Sequence, residues 1–163
     1  MKVKQAYTKI KHEKTPEKKL EEIAITDEDL VELTLFDQVL SQIAELEVEH
    51  VVVTGGEPLL LPDIVPLTAE LRSRGHFVTL ETAGTVFREA TADLMSISPK
   101  LANSTPSVDR SATWSKRHEE LRHRPAVIRN LIAESRYQLK FVIDVPTDVA
   151  QVEEWLAEFP EID

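Results

Sequence analysis

The residues best suited to chemistry form one run, Val51-Val52-Val53-Thr54-Gly55-Gly56-Glu57-Pro58-Leu59-Leu60. An apolar, β-branched stretch ends in two glycines, which let a backbone turn sharply and approach a ligand. Glu57 then sets a carboxylate at the strand exit, and Pro58 removes a donor and stiffens the chain behind it. Such a loop suits a ligand carrying an ammonium group; an ordinary βα turn is the commoner reading of the same residues. It is not a dinucleotide fingerprint, because no third glycine follows at the required spacing. Nor is it a P-loop, because no Gly-Lys-Ser/Thr follows. The five histidines form no metal pattern, and no Ser-His-Asp arrangement emerges. Trp114 and Trp155 stand alone and read as packing residues. The chain has no cysteine, which excludes disulfides, zinc–thiolate sites, thiol nucleophiles and thiolate-held clusters within it.

A length of 163 residues with 42% hydrophobic content suits one domain with a real core. The net charge of −10 argues against a phosphate-backbone binder, so no nucleic-acid partner is expected. The Lys-rich start reads as a solvated tail rather than a nucleic-acid arm. No run of 18 apolar residues marks a membrane span, and no apolar segment follows the N-terminal lysines as in a signal peptide. The expectation is a cytoplasmic protein.

The elements that must position the run alternate in type. Leu35, Val39, Leu40, Ile43 and Leu46 recur at helical spacing, with Thr34 as N-cap. His50–Thr54 reads as a strand buried on both faces. Pro62 opens a second helix that carries Ile64, Leu67 and Leu71 and stops at Gly75. Phe77–Glu81 is a strand, Ala83 and Gly84 turn the chain, and Asp93–Ser98 is a third strand ended by Pro99. Residues 101–124 read as polar and irregular. Pro125–Glu134 is a helix, Tyr137–Ile143 a strand, and Thr147–Phe159 a helix capped by Thr147 or Asp148. Residues 1–34 form a weakly ordered lead-in, with a short helix over Lys18–Ile25, and residues 35–163 form the domain. The alternation predicts an α/β fold with a parallel sheet of about four strands, whose ligands bind at the strands' carboxyl ends.

Four segments at those ends carry a family resemblance. Thr54-Gly55-Gly56-Glu57-Pro58 resembles the GGEP motif of radical S-adenosylmethionine (SAM) enzymes. Glu81-Thr82-Ala83-Gly84-Thr85 resembles the ETNGT-type segment of 7-carboxy-7-deazaguanine synthases, with Ala83 replacing the common Asn. Ser98-Pro99-Lys100 and Gln138-Leu139-Lys140-Phe141 are similar to that family's third and fourth strand ends. The matches fall in the right order over about two-thirds of the chain.

The resemblance implies an incomplete radical-SAM-type barrel with helices packed on one face. It implies SAM contacts at Gly55, Gly56, Glu57, Ser98, Pro99 and Lys100, with Gln138 and Lys140 as weaker candidates on the adenosine side. It implies a pterin substrate at Thr54 and Glu81. The family reaction is a carbon–nitrogen lyase step of queuosine biosynthesis. It contracts 6-carboxytetrahydropterin to 7-carboxy-7-deazaguanine with loss of ammonia, in a homodimer.

The family's cysteine loop, its adjoining Mg²⁺ ligand and its closing C-terminal segment have no counterpart here. Neither the [4Fe–4S] cluster nor Mg²⁺ is therefore expected in this chain, and no catalytic or metal-binding residue is assigned. The expectation is a fragment or inactive form of the lyase. The alternative is a non-catalytic module that binds SAM or a pterin, or that dimerises.

Overall fold

The computed structural model describes residues 6–7 and 35–162. The fold is α/β, built on an open parallel sheet in the order β1-β2-β3-β4-β5. The strands are β1 (Ala6–Tyr7), β2 (His50–Val53), β3 (Phe77–Thr82), β4 (Leu94–Ile97) and β5 (Tyr137–Leu139). The helices are α1 (Leu35–Glu45), α2 (Ile64–Ser73), α3 (Val108–Leu121), α4 (Pro125–Glu134) and α5 (Asp148–Ala157). The four expected strands are present. A fifth, β1, pairs with β2 through Ala6↔Val51 and Tyr7↔Val52, so two residues of the lead-in extend the sheet. The readings of Thr34 as a cap and of Lys18–Ile25 as a helix lie outside the described residues.

Side chains alternate across a strand, and that alternation divides this sheet sharply. Val51, Val53, Val78, Leu80, Met95 and Ile97 are buried on one face. Leu40 and Ile43 of α1, Ile64 and Leu71 of α2, Ile128 and Leu131 of α4, and Trp155 of α5 join them in one core. Burying a Leu or Ile side chain contributes about 1.5–3 kcal/mol, so this face supplies the main cohesion of the domain. The other face carries Val52, Thr54, Thr79, Glu81, Ser96, Gln138 and Lys140. β2 therefore differs from expectation. Its residues alternate between half-buried and buried instead of being buried on both faces.

Two connections also depart from the sequence reading. Residues 101–124 are not irregular throughout: a 3₁₀ turn (Ala102–Ser104) leads to α3. That helix has no apolar stripe to betray it. Its backbone is extended at Ser111, whose Oγ accepts from Trp114 N at 3.3 Å and restarts the helix in the manner of an N-cap. The β3–β4 crossover, Ala83–Asp93, contains no helix. A cavity of about 490 Å³ lies there, over Met95 and between Arg72 of α2 and Leu131 of α4.

The last helix starts without a side-chain cap at Thr147. Asp148 instead reaches backwards. Its Oδ2 accepts from Asp144 N at 2.9 Å, Val145 N at 3.2 Å and Asn103 Nδ2 at 2.7 Å. Asn103 Nδ2 also donates to Val142 O at 3.0 Å, so one carboxylate fastens the β5–α5 loop to the segment after β4. These bonds, led by those from Asp144 and Val145, hold the Asp148 carboxyl below the usual aspartate value. A depressed folded-state value means stability that is present above the ordinary aspartate range and lost as pH falls through the lowered value. Asp148→Asn should therefore melt below the parent at pH 7. The gap should close on acidification, measured by thermal denaturation between pH 7 and 2; a gap that persists at low pH contradicts the charge-based account.

Candidate functional site

Sheet register sets the side chains of the polar face side by side. Glu81 on β3 is the register partner of Ser96 on β4, and Ser96 that of Gln138 on β5. Thr54, just past β2, donates from Oγ1 to Glu81 Oε2 at 3.0 Å. Lys140, just past β5, donates from Nζ to Glu81 Oε1 at 2.7 Å, so its side chain spans β4. Gln138 Nε2 donates to the buried Ser96 Oγ at 2.9 Å. Glu81 is thus the meeting point of three strand ends. The Lys140 hydrogen bond is the main force holding its carboxyl below the usual glutamate value; partial burial opposes it and the Thr54 bond assists. Both partners remain partly exposed, at 36% for Glu81 and 45% for Lys140, so the pair itself stabilises the fold by at most about 1 kcal/mol. What it supplies is a fixed anion at the carboxyl end of the sheet.

The loop after β2 is held differently. Glu57 Oε1 accepts from Leu59 N at 3.2 Å, which caps the 3₁₀ turn Pro58–Leu60. Thr82 Oγ1 lies 2.8 and 2.9 Å from the two Glu57 oxygens, and Ala83 N donates to Oε2 at 2.9 Å. Thr82 Oγ1 in turn accepts from Gly84 N at 3.0 Å. Arg88 completes the fastening from below, donating to Leu59 O at 2.6 Å and Leu60 O at 3.1 Å. The resemblance implies a SAM contact at Glu57; in the structure its half-buried carboxylate accepts from Leu59 N, Ala83 N and the Thr82 hydroxyl.

Gly55 and Gly56 are exposed, and neither has a positive φ. A Cβ built on either meets no atom within 4 Å. The chain's own packing and torsions therefore make no demand for glycine there. Gly84 is the opposite case: φ is +72°, and a Cβ would overlap Ile128 Cδ1 and press on Ile97 Cγ2 at 3.0 Å.

The third strand end joins the same network. Ser98 N donates to Thr82 O at 2.7 Å, Pro99 is buried, and Lys100 Nζ lies 3.3 Å from Ser98 Oγ. Arg122, at the end of α3, donates to Lys100 O at 3.3 Å and pairs with Glu119 at 2.8 Å. Glu119 accepts from Thr105, whose hydrogen bond is the main force holding its carboxyl low. A second cavity, of about 250 Å³, opens beside Pro99, Lys100, Asn103, Val142 and Asp144.

The structure thus gathers Thr54, Glu81 and Lys140 in one cluster, with Gln138 anchored next to it on Ser96. It links Gly55-Gly56-Glu57 and Ser98-Pro99-Lys100 through Thr82. Sequence reasoning missed Thr82 and Arg88, whose residue types signal nothing without the register that brings them to Glu57 and Leu59. It also missed His50, whose Nε2 lies 2.8 Å from Thr79 Oγ1 on the polar face. Among the described residues no group of three His, Cys, Asp or Glu could hold a metal ion. The chain contains no thiolate for an iron–sulfur cluster, so its residues do not fit that group. Gly55 and Gly56 leave an exposed backbone with open space beside it at the strand exit.

Comparison with known proteins matches residues 12–123 to the radical SAM superfamily. The chain is similar to the 7-carboxy-7-deazaguanine synthase of Halobacterium salinarum, at 41% identity over 127 residues, covering 75% of this chain and 49% of that protein. It is 42% identical to that of Rhodopirellula baltica over 119 residues, covering 72% of this chain and 46% of that protein. A shorter stretch of 63 residues is 33% identical to that of Haemophilus influenzae, covering 39% and 30%. The chain spans about half the length of the first two.

The glycines separate packing from ligand demands. Gly55→Ala and Gly56→Ala should leave the melting temperature unchanged or raise it slightly, as Ala in a compatible backbone gains about 0.4–1 kcal/mol. Gly84→Ala should destabilise by about 1–3 kcal/mol through overlap and a disfavoured φ. Denaturant melts of the three variants check this; a large loss at Gly55 or Gly56 would overturn the reading that nothing in the chain requires them.

Proposed function

Because this chain belongs to the radical SAM superfamily, we propose that it carries the ligand-facing half of a 7-carboxy-7-deazaguanine synthase. On this reading the Gly55-Gly56-Glu57 loop and Ser98-Pro99-Lys100 take SAM, with Gln138 beside them. Thr54 and Glu81 take 6-carboxytetrahydropterin. The observation that carries the reading is the Thr54–Glu81–Lys140 cluster. It holds an anion at the carboxyl end of a parallel sheet, where ligands of such sheets bind. An ionised carboxylate only accepts hydrogen bonds, which suits the paired N–H groups of a pterin edge. Two glycines that the chain itself does not need support close approach of a cofactor backbone.

In this superfamily bound SAM supplies radical chemistry once a thiolate-held cluster delivers an electron to it. The 163 residues supply no thiolate, so that step is not assigned to them. The contribution proposed for this chain is to bind, orient and electrostatically fix the two ligands. The lack of cysteine also favours a second reading, in which the chain binds SAM or a pterin without turnover, alone or paired with a cysteine-bearing homologue. No described helix is long and apolar enough to cross a membrane. A cytoplasmic setting and a homodimer complete the proposal.

Calorimetric titration tests it. The chain should take up SAM and 6-carboxytetrahydropterin and should form no 7-carboxy-7-deazaguanine when given both with a reductant. Glu81→Gln should weaken pterin uptake by about 10–100-fold, the worth of a charge-assisted hydrogen bond, while SAM uptake changes little. Heat of neither ligand would sink both readings; a Glu81→Gln variant with parental pterin affinity would remove Glu81 from the substrate site.

A further inference from the structure

Thr82 has three jobs at once. Its Oγ1 lies within 2.9 Å of both oxygens of Glu57, and the same oxygen accepts from Gly84 N at 3.0 Å. Its carbonyl accepts from Ser98 N at 2.7 Å. It is 4% exposed, so these bonds face little competition from water. Among the described residues, no other bonds to both the loop after β2 and the end of β4. One hydroxyl carries a single proton and can accept as well as donate; here it gives the proton to the carboxylate and receives one from the Gly84 amide. The polarity of that chain of bonds is fixed at both ends, because Glu57 can only accept and Gly84 N can only donate.

The consequence for Glu57 is specific. With Leu59 N, Ala83 N and the Thr82 hydroxyl around it, both carboxylate oxygens are engaged inside the protein. On the reading that the loop takes SAM, the part of it left open to the cofactor's ammonium is the exposed Gly55–Gly56 backbone next to this engaged carboxylate. We propose that Thr82 is a positioning residue: by clamping Glu57 it fixes the Gly55–Gly56 backbone in the form that receives the cofactor's ammonium and ties it to Ser98. This rests on the reading that the loop takes SAM. Thr82→Val keeps the shape and the carbonyl bond to Ser98 while deleting the hydroxyl, and Thr82→Ser keeps the hydroxyl.

The test uses the full chain and two readouts. The first is amide hydrogen exchange of the ligand-free protein. Thr82→Val should speed exchange at Leu59, Ala83 and Gly84 by about tenfold or more, since a clamp bond of roughly 1.4 kcal/mol is a factor of ten, and Thr82→Ser should stay within about threefold of the parent. The second is SAM titration, in which Thr82→Val should lose about tenfold in affinity and Thr82→Ser should recover it. Glu57→Gln, which presents an amide N–H₂ to donors, should reproduce the Thr82→Val pattern and covers the case in which that variant fails to fold. Parental exchange in Thr82→Val and Glu57→Gln overturns the clamp whether or not SAM binds. Faster exchange with parental SAM affinity overturns the positioning role alone. A parent chain that takes up no SAM overturns the underlying reading of the loop, while the exchange data still judge the clamp.

Discussion

Strands β2 to β5 must each satisfy two surroundings with one backbone. Because side chains alternate, the residues that give Val51, Val78, Leu80, Met95 and Ile97 to the helices leave Thr54, Glu81, Ser96, Gln138 and Lys140 for the opposite face. A parallel sheet covered on both faces reads as continuous apolar strands. Only β2 reads that way in sequence, and β3 to β5 set polar side chains on the second face. The second face is polar, hydrogen-bonded across strands, and ends in charges at the carboxyl edge. The core fixes the spacing of the strands, and the spacing brings Thr54, Glu81 and Lys140 to within hydrogen-bond reach.

The two acidic residues of that edge show how neighbours divide labour between like side chains. Glu81 is held by one cation and one hydroxyl and stays partly open to solvent. Glu57 is held on both oxygens by two amides and a hydroxyl of its own chain, which tie the loop it belongs to. One keeps an ionised edge open to solvent, and the other fixes the loop after β2. Gly84 belongs to the same arrangement, because only a residue without Cβ fits between Ile128 and Ile97 while its amide serves Thr82.

Much of this was legible in the residues. Apolar runs and their turn signals located β2 to β5 and helices α1, α2, α4 and α5, because each has a hydrophobic period that burial enforces. The helix α3 was not legible, since it presents no apolar stripe, and β1 is too short to show a period. Among site residues, the order of motifs put Thr54, Gly56, Glu81, Ser98 and Lys140 at strand ends. Their partners were hidden. Thr82 meets Glu57 across 25 residues of sequence, and Lys140 meets Glu81 across 59. Only strand register converts such separations into contacts, and register is not written in a local pattern.

The most direct test of the account is to map amide chemical shifts of the isotope-labelled chain as SAM is added. The account predicts changes concentrated at Gly55, Gly56, Ser98–Lys100 and the Gln138–Lys140 segment, with the helix-facing residues of α2 and α4 unmoved. Changes centred instead on the cavity between Arg72 and Leu131, or none at any ligand concentration, would contradict the claim that the polar face at the strands' carboxyl ends is the functional surface.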